Sequence, residues 1–340
     1  MHTVWVREHN RIALKLQANN PLWNDERLFQ ESRRIVIAEY QHIIYNEWLP
    51  LVVGKKQMNA FGLRPLTKGY SKSYIQNFDP RVTNEFATAA FRFGHSLIPT
   101  KFKQTHSVQS DSETRWQRIK EIFFQPEKIH NTPRILDDLV RGLTSQHGSQ
   151  WDKKFSEDII NHLFESKKGV GGLDLVALNI QRGRDHGLPG YNAYRKVVGV
   201  GKANDWNGLK TNIRPEDVEN LKKVYRHVDD VDLFVGGFLE KPNDDAFIGQ
   251  TFQVIIVDTF LRLKYGDRFF YDLGLDSSTQ FSRSQLQEIR KVTMARVLCD
   301  NTEDVREMQP QVFKVMGSHK NRMTSCDDTT SIPKMNLDVF

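Results

Sequence analysis

LDLVALNIQRGRDHGLPGYNAYR, residues 173–195, reads as an amphipathic helix running into a turn crowded with Arg, Asp, His, Gly and Pro. In that turn Arg184, Asp185 and His186 fit a structural part, satisfying carbonyls and amides at the helix end while glycines take positive φ. A second stretch, AFRFGHSLI at residues 90–98, puts His95 on an apolar helix with Arg92 three positions earlier on the same face. A buried neutral imidazole is a good iron ligand. An arginine one turn away suits an anionic group, and Gly94 leaves room for a flat ring to approach. Taken on these residues alone, a hydrogen-bonded core histidine is the commoner explanation of such a pattern.

Outward from these two stretches the chain is mostly helical. Val4, Ile12 and Leu16 share one face of an N-terminal helix, with Arg7, Glu8 and Arg11 away from it. Glu26–Asn46 is a long amphipathic run with Leu28, Ile35, Ile37, Tyr40 and Ile44 among its apolar positions, and Pro50 marks its exit. Residues 54–80 read as a surface loop. Arg81–Ile98 reads as a helix apolar nearly all round, through Val82, Phe86, Ala90, Phe91, Phe93, Leu97 and Ile98, and so as buried. Residues 100–118 read as an exposed excursion. Further helices are expected at 134–145, 151–166, 174–183, 215–226, 246–264 and 283–297, and a short strand at Phe269–Tyr271. With no repeat or Ser/Gly linker, residues 1–340 read as one mainly α domain with long loops.

Composition excludes several classes. Apolar residues make up 39% and charged residues 26% of 340, which suits a globular chain and not a disordered one. The net charge of +6 is spread among interleaved acids, a solvated surface and not a nucleic-acid footprint. No run approaches the roughly 20 apolar residues that span a bilayer. The first residues carry no apolar core of a signal peptide, and the chain opens as if partway through a helix. Gly199–Lys202 lacks the spacing of a phosphate loop, and Lys168–Gly172 follows no strand. There is no His-Glu-x-x-His, no serine elbow and no zinc spacing. Two cysteines, Cys299 and Cys326, fit either one disulfide or two separate thiols, and no glycosylation sequon occurs.

The two stretches together, with MHTVWVREHNRIA (1–13), VDLFVGGFLE (231–240), YGDRFFY (265–271) and RVLCDNT (296–302) in the same order, resemble the peroxidase–cyclooxygenase superfamily. The chain is most similar to its peroxidasin, chorion-peroxidase and myeloperoxidase group, along essentially its whole length. The resemblance implies the animal haem-peroxidase fold, incomplete at the N-terminus because the distal helix would lie upstream of Met1. It implies haem b, covalently linked in a longer parent, and an extracellular protein acting on hydrogen peroxide and a small reducing donor such as a phenol or halide. His95 matches the proximal iron ligand, and Asn179 matches the residue accepting a hydrogen bond from its Nδ1–H. Arg92 and Arg182 match arginines on the propionate side, and Phe123, Phe124, Leu175 and Leu178 match apolar residues around the haem.

The family's distal histidine, distal arginine, ester-forming acids and calcium loop match nothing in this chain, and Arg7 and Glu8 match a structural helix instead. The competing expectations are a non-catalytic, matrix-associated peroxidase-like module and a haem carrier open on its distal face. Cys299 and Cys326 match a pair that is disulfide-linked in secreted relatives. A second family pair falls at Val198 and Val254, where paired valines leave no free half-cystine.

Overall fold

The computed structural model describes residues 1–108, 114–130, 134–165, 171–275, 278–317 and 321–340. Residues 168–170 of the Lys168–Gly172 run and part of the 100–118 excursion lie outside them.

The N-terminal helix is His2–Asn19, and Val4, Ile12 and Leu16 are each fully buried, so its 3.6-residue stripe faces the core as its pattern dictates. It packs on Asp25–Ile43, whose N-cap Asn24 accepts the Arg27 amide. The run then departs from expectation. It passes through a π-helical turn, Ile44–Trp48, into a further helix, Leu49–Ala60. Pro50 does not end the run, because in a first helical turn its missing N–H costs no bond. The chain kinks instead at Gly54 (φ 81°), where a Cβ would collide with Asp245.

Arg81–Ile98 is not one helix. Asn84–Thr88 is α-helical, Ala89 breaks the geometry at φ −134°, and Ala90–Leu97 is a 3₁₀ run. Phe86, Ala90 and Phe93 are buried, whereas Val82 and Phe91 are exposed. The expected strand at Phe269–Tyr271 is a turn. A hairpin forms within the supposed excursion, Lys101–Gln104 against Arg115–Arg118 in antiparallel register with Phe102 opposite Gln117. A second, two-residue pair joins Glu307–Met308 to Thr324–Ser325.

Later helices include Ile135–Ser145, Glu157–Ile160, Leu175–Asp185, Tyr191–Val197, Pro215–Val224, Leu233–Leu239, Gln250–Tyr265, Arg283–Ile289 and Met294–Asp300. The helix expected over 151–166 is confined to its middle. Trp151 and Phe155 instead pack from irregular backbone onto Phe238, at centroid distances of 5.9 and 5.2 Å. The 283–297 run is split, the second piece restarting at Thr293, whose side chain accepts the Arg296 amide. Most of the buried apolar residues form one cluster, to which Gln250–Tyr265 contributes the fully buried Phe252 and Ile256. Each such side chain contributes about 1.5–3 kcal/mol by leaving water. Cys299 and Cys326 are joined in a disulfide that ties the last helix to the C-terminal segment. Val198 is buried, and its carbonyl accepts the Gln250 side chain.

Candidate functional site

The two stretches that opened the sequence meet in space. Asp174 caps Leu175–Asp185 by accepting the amides of Val176 and Ala177 at 2.8 and 3.1 Å, which sets the helix start and with it the azimuth of Asn179. Asn179 is 1% exposed. Its Oδ1 lies 2.7 Å from Nδ1 of His95, across 84 residues of sequence.

An amide oxygen only accepts, so this bond puts the imidazole proton on Nδ1 and the lone pair on Nε2. Nε2 takes no hydrogen bond among the described residues. Burial and the nearby Arg92 cation pull the His95 pKa below its ordinary value, against the opposing hydrogen bond that it donates to Asn179. The ring is neutral at physiological pH. A Cβ built on neighbouring Gly94 would meet nothing within 4 Å, so open space borders the histidine.

The 3₁₀ geometry matters here. With about three residues per turn, side chains at i and i+3 eclipse, which stacks Arg92 over His95. Arg92 donates to the Ala87 carbonyl at 3.2 Å. Its pKa is lowered by burial and by the charge of Arg182, so the two cations are near enough to repel. Arg182 is exposed, with Asp185 3.7 Å away. Paired cations of this kind suit an anionic ligand with two acceptor groups.

Leu175 is half-buried and Leu178 is 37% exposed, both on the helix of Asn179. Phe123 and Phe124 pack on Phe164 at 5.7 and 4.7 Å. Phe124 and Phe164 hold positive φ of 55° and 56°, an uncommon conformation for aromatic residues.

The dense turn after the helix is structural, as its composition suggested. Arg184 forms a two-pronged ion pair with Asp232 at 3.0 and 2.7 Å. His186 bonds the Asn84 side chain at 2.8 Å, tying the two site-bearing segments together, and Gly187 takes the φ of 65° that the turn requires. A cavity of about 390 Å³ beside this turn is lined by Ile180, Arg184, Tyr225 and Asp232 and does not reach His95.

Whether these residues fit a haem is answered by their chemistry. A neutral histidine with a fixed tautomer, open space beside it, two neighbouring arginines and exposed apolar side chains match an iron porphyrin bearing carboxylates. Residues 1–313 match the family described as animal haem peroxidase. The chain belongs to the animal haem peroxidase family.

Within that family it is 44% identical to chorion peroxidase of Drosophila melanogaster, covering 98% of this chain and 41% of the relative. It is 40% identical to a peroxidase of the same fly, over 99% of this chain and 48% of that one. Peroxidase A from Dictyostelium discoideum shares its fold with a TM-score of 0.75 and 33% identity, over 91% of this chain and 55% of that structure. The chain therefore spans about half, or less, of the length of these relatives.

Two groupings escaped the sequence reading. One is a buried carboxylate cluster at Glu8 and Glu39; the other is a row of aromatics from Trp48 to Tyr271. The pairing of Glu8 with Arg11 at i,i+3 was a visible signal, but the contact of Glu8 with Asn301 joins residues 293 positions apart.

Proposed function

We propose that this chain provides the proximal side of a haem site in a peroxide-dependent oxidoreductase. The observation that carries the reading is the 2.7 Å bond from His95 to Asn179, which leaves Nε2 as the free basic atom. In this reading His95 is the axial ligand. Asn179 holds its proton and ring plane, and as a neutral acceptor it pushes less electron density toward the metal than a carboxylate would. Arg92 and Arg182 bind the propionates. Leu175 and Leu178 line the ring, with Phe123 and Phe124 closing its edge.

Bound haem b supplies the redox chemistry, taking oxidising equivalents from hydrogen peroxide and electrons from a phenol, halide or similar small donor. The chain's own groups hold, orient and tune the cofactor. Distal acid–base groups would come from the remainder of a longer protein, consistent with the 41% and 48% of the relatives that this chain covers. The ester-forming acids and the calcium loop of the family are assigned to that same remainder. An extracellular setting agrees with the Cys299–Cys326 disulfide. Among the described residues no helix is long and apolar enough to cross a membrane.

Titrating the purified chain with ferric haem while following the Soret band tests the reading. Stoichiometric binding that is lost in His95→Ala is expected. Absent or His95-independent binding would leave a scaffold without the cofactor role.

A further inference from the structure

A row of packed aromatic rings starts at Phe91, four residues before His95. Phe91, on the same 3₁₀ run, meets Trp48 edge-on at 6.0 Å, and Phe93 lies 6.2 Å from the same indole. Trp48 packs on Phe260 at 6.0 Å, and Phe260 on Tyr45 at 5.6 Å. Tyr45 meets Phe270 at 5.1 Å, and Phe270 meets Tyr271 at 5.3 Å. Tryptophan and tyrosine are the side chains that lose an electron readily; the phenylalanines between them keep the row in van der Waals contact.

The two tyrosines differ in what their hydroxyls face. Tyr45 donates to the backbone carbonyl of Phe260 at 2.8 Å, a group that cannot take its proton. Tyr271 lies 2.7 Å from Nδ1 of His42. Burial and the nearby Arg290 charge pull the His42 pKa down to about 4, so its ring rests neutral. A neutral imidazole keeps one ring nitrogen unprotonated, and with that lone pair on Nδ1 the ring accepts the Tyr271 hydroxyl. Asn46 adds an amide contact to the same nitrogen at 2.9 Å. Tyr271 is therefore the tyrosine equipped to lose an electron and a proton together. It is 2% exposed and forms the floor of an open groove of about 510 Å³, walled by Ile37, Phe269 and Leu275 with the Gln41 amide at its base. Ile37, Phe269 and Leu275 are 40%, 57% and 51% exposed. The rest of the lining carries Glu31, Arg33, Arg34, Asp267 and Arg268, so the groove offers an apolar side for a phenol ring and polar groups for its hydroxyl.

We propose that Trp48 passes an electron hole from the His95 site through the packed rings of Phe260, Tyr45 and Phe270 to Tyr271, and that the Tyr271–His42 pair oxidises a phenolic donor in this groove. The source of the hole, haem oxidised by peroxide, rests on the function proposed above. Tyr271 gives one electron to the hole and its phenolic proton to Nδ1 of His42, leaving a neutral tyrosyl radical and an imidazolium. The donor in the groove returns one electron to Tyr271, and His42 returns the proton to its oxygen. The donor releases its own proton to water and leaves as a phenoxyl radical.

The test needs no haem, so its failure and the failure of the haem reading are separable. A ruthenium photosensitiser on Arg92→Cys, oxidised by flash and quench, injects the hole beside Phe91. A tyrosyl signal in electron paramagnetic resonance and transient absorption is expected. It should vanish in Tyr271→Phe, which keeps the ring and its packing. Radical formation should slow by about tenfold or more in Trp48→Phe and His42→Asn, equal to a barrier about 1.4 kcal/mol higher. Added p-cresol should shorten the radical lifetime, and Leu275→Lys should weaken that effect. Haem titration of Tyr271→Phe should match the parent. No tyrosyl signal after photo-oxidation, an undiminished signal in Tyr271→Phe, rates indifferent to Trp48 and His42, or cresol quenching untouched by Leu275→Lys would each overturn the proposal.

Discussion

Two polar clusters in this molecule are built on opposite principles. Where the N-terminal helix crosses Asp25–Ile43 and Met294–Asp300, charge is closed on itself. Glu8, 1% exposed, accepts from Arg11 at 2.8 and 2.6 Å and from Asn301 at 2.6 Å. Asp300 is paired with Arg296 at 2.9 Å and lies 3.8 Å from Arg11. Glu39, also 1% exposed, lies beside Glu8 with its Oε2 buried and unpartnered, and burial with the Glu8 charge raises its pKa well above the carboxylate range, which favours its protonated form. Around His95 the pairing is partial: Arg182 has only an exposed partner, Asp185 at 3.7 Å, Nε2 of His95 takes no hydrogen bond among the described residues, and Phe91 and Leu178 face solvent. A cluster that answers its own charges contributes to the fold. One that leaves matched groups open is arranged for something outside the chain.

If that contrast holds, mutations in the first cluster cost stability and those in the second cost ligand affinity. The largest effect is expected for Glu8→Ala, which strands half-buried Arg11 and buried Asn301 and should lower unfolding free energy by about 3–5 kcal/mol in a denaturant titration. Removing the Cys299–Cys326 bond as a double serine variant should cost about 2–4 kcal/mol and leave the haem stoichiometry of the folded fraction unchanged. In the open site, Asn179→Ala should weaken haem affinity by about 10–100-fold with little change in stability. Asn179→Asp, a stronger acceptor, should lower the reduction potential of the bound iron, read by spectroelectrochemistry.

The smallest effects are in pH dependence. The raised pKa of Glu39 stabilises the fold fully at low pH, and this contribution fades as pH rises through the folded-state value. Glu39→Gln should flatten the alkaline side of a stability–pH curve. The lowered pKa of His95 works in the other sense: haem affinity should hold through the ordinary imidazole range and fall only at more acidic pH. Loss of affinity already at neutral pH would contradict a neutral His95.

Much of this contrast was legible before any coordinates. Periodicity placed Val4, Ile12 and Leu16 in the core, and the ordered motifs pointed to His95 and Asn179 as partners. Local chemistry hid other features. Pro50 looked like a stop signal because a first-turn proline and a helix-ending proline differ only in what precedes them. The break at Ala89 carries no glycine or proline, and it decides that Arg92 eclipses His95 on a 3₁₀ turn. The aromatics at 151–155 read as a helix because apolar spacing alone does not distinguish a helical stripe from side chains reaching inward off irregular backbone. Long-range contacts such as Glu8–Asn301 and His42–Tyr271 were beyond any local pattern.

The most direct test of the account is a double-mutant cycle on haem affinity at the proximal pair, measuring the parent, His95→Ala, Asn179→Ala and the double variant by Soret titration. The account predicts that Asn179→Ala weakens binding in the parent and adds nothing once His95 is gone, because the amide acts only through the imidazole. Additive losses, or an Asn179 effect that persists without His95, would contradict it.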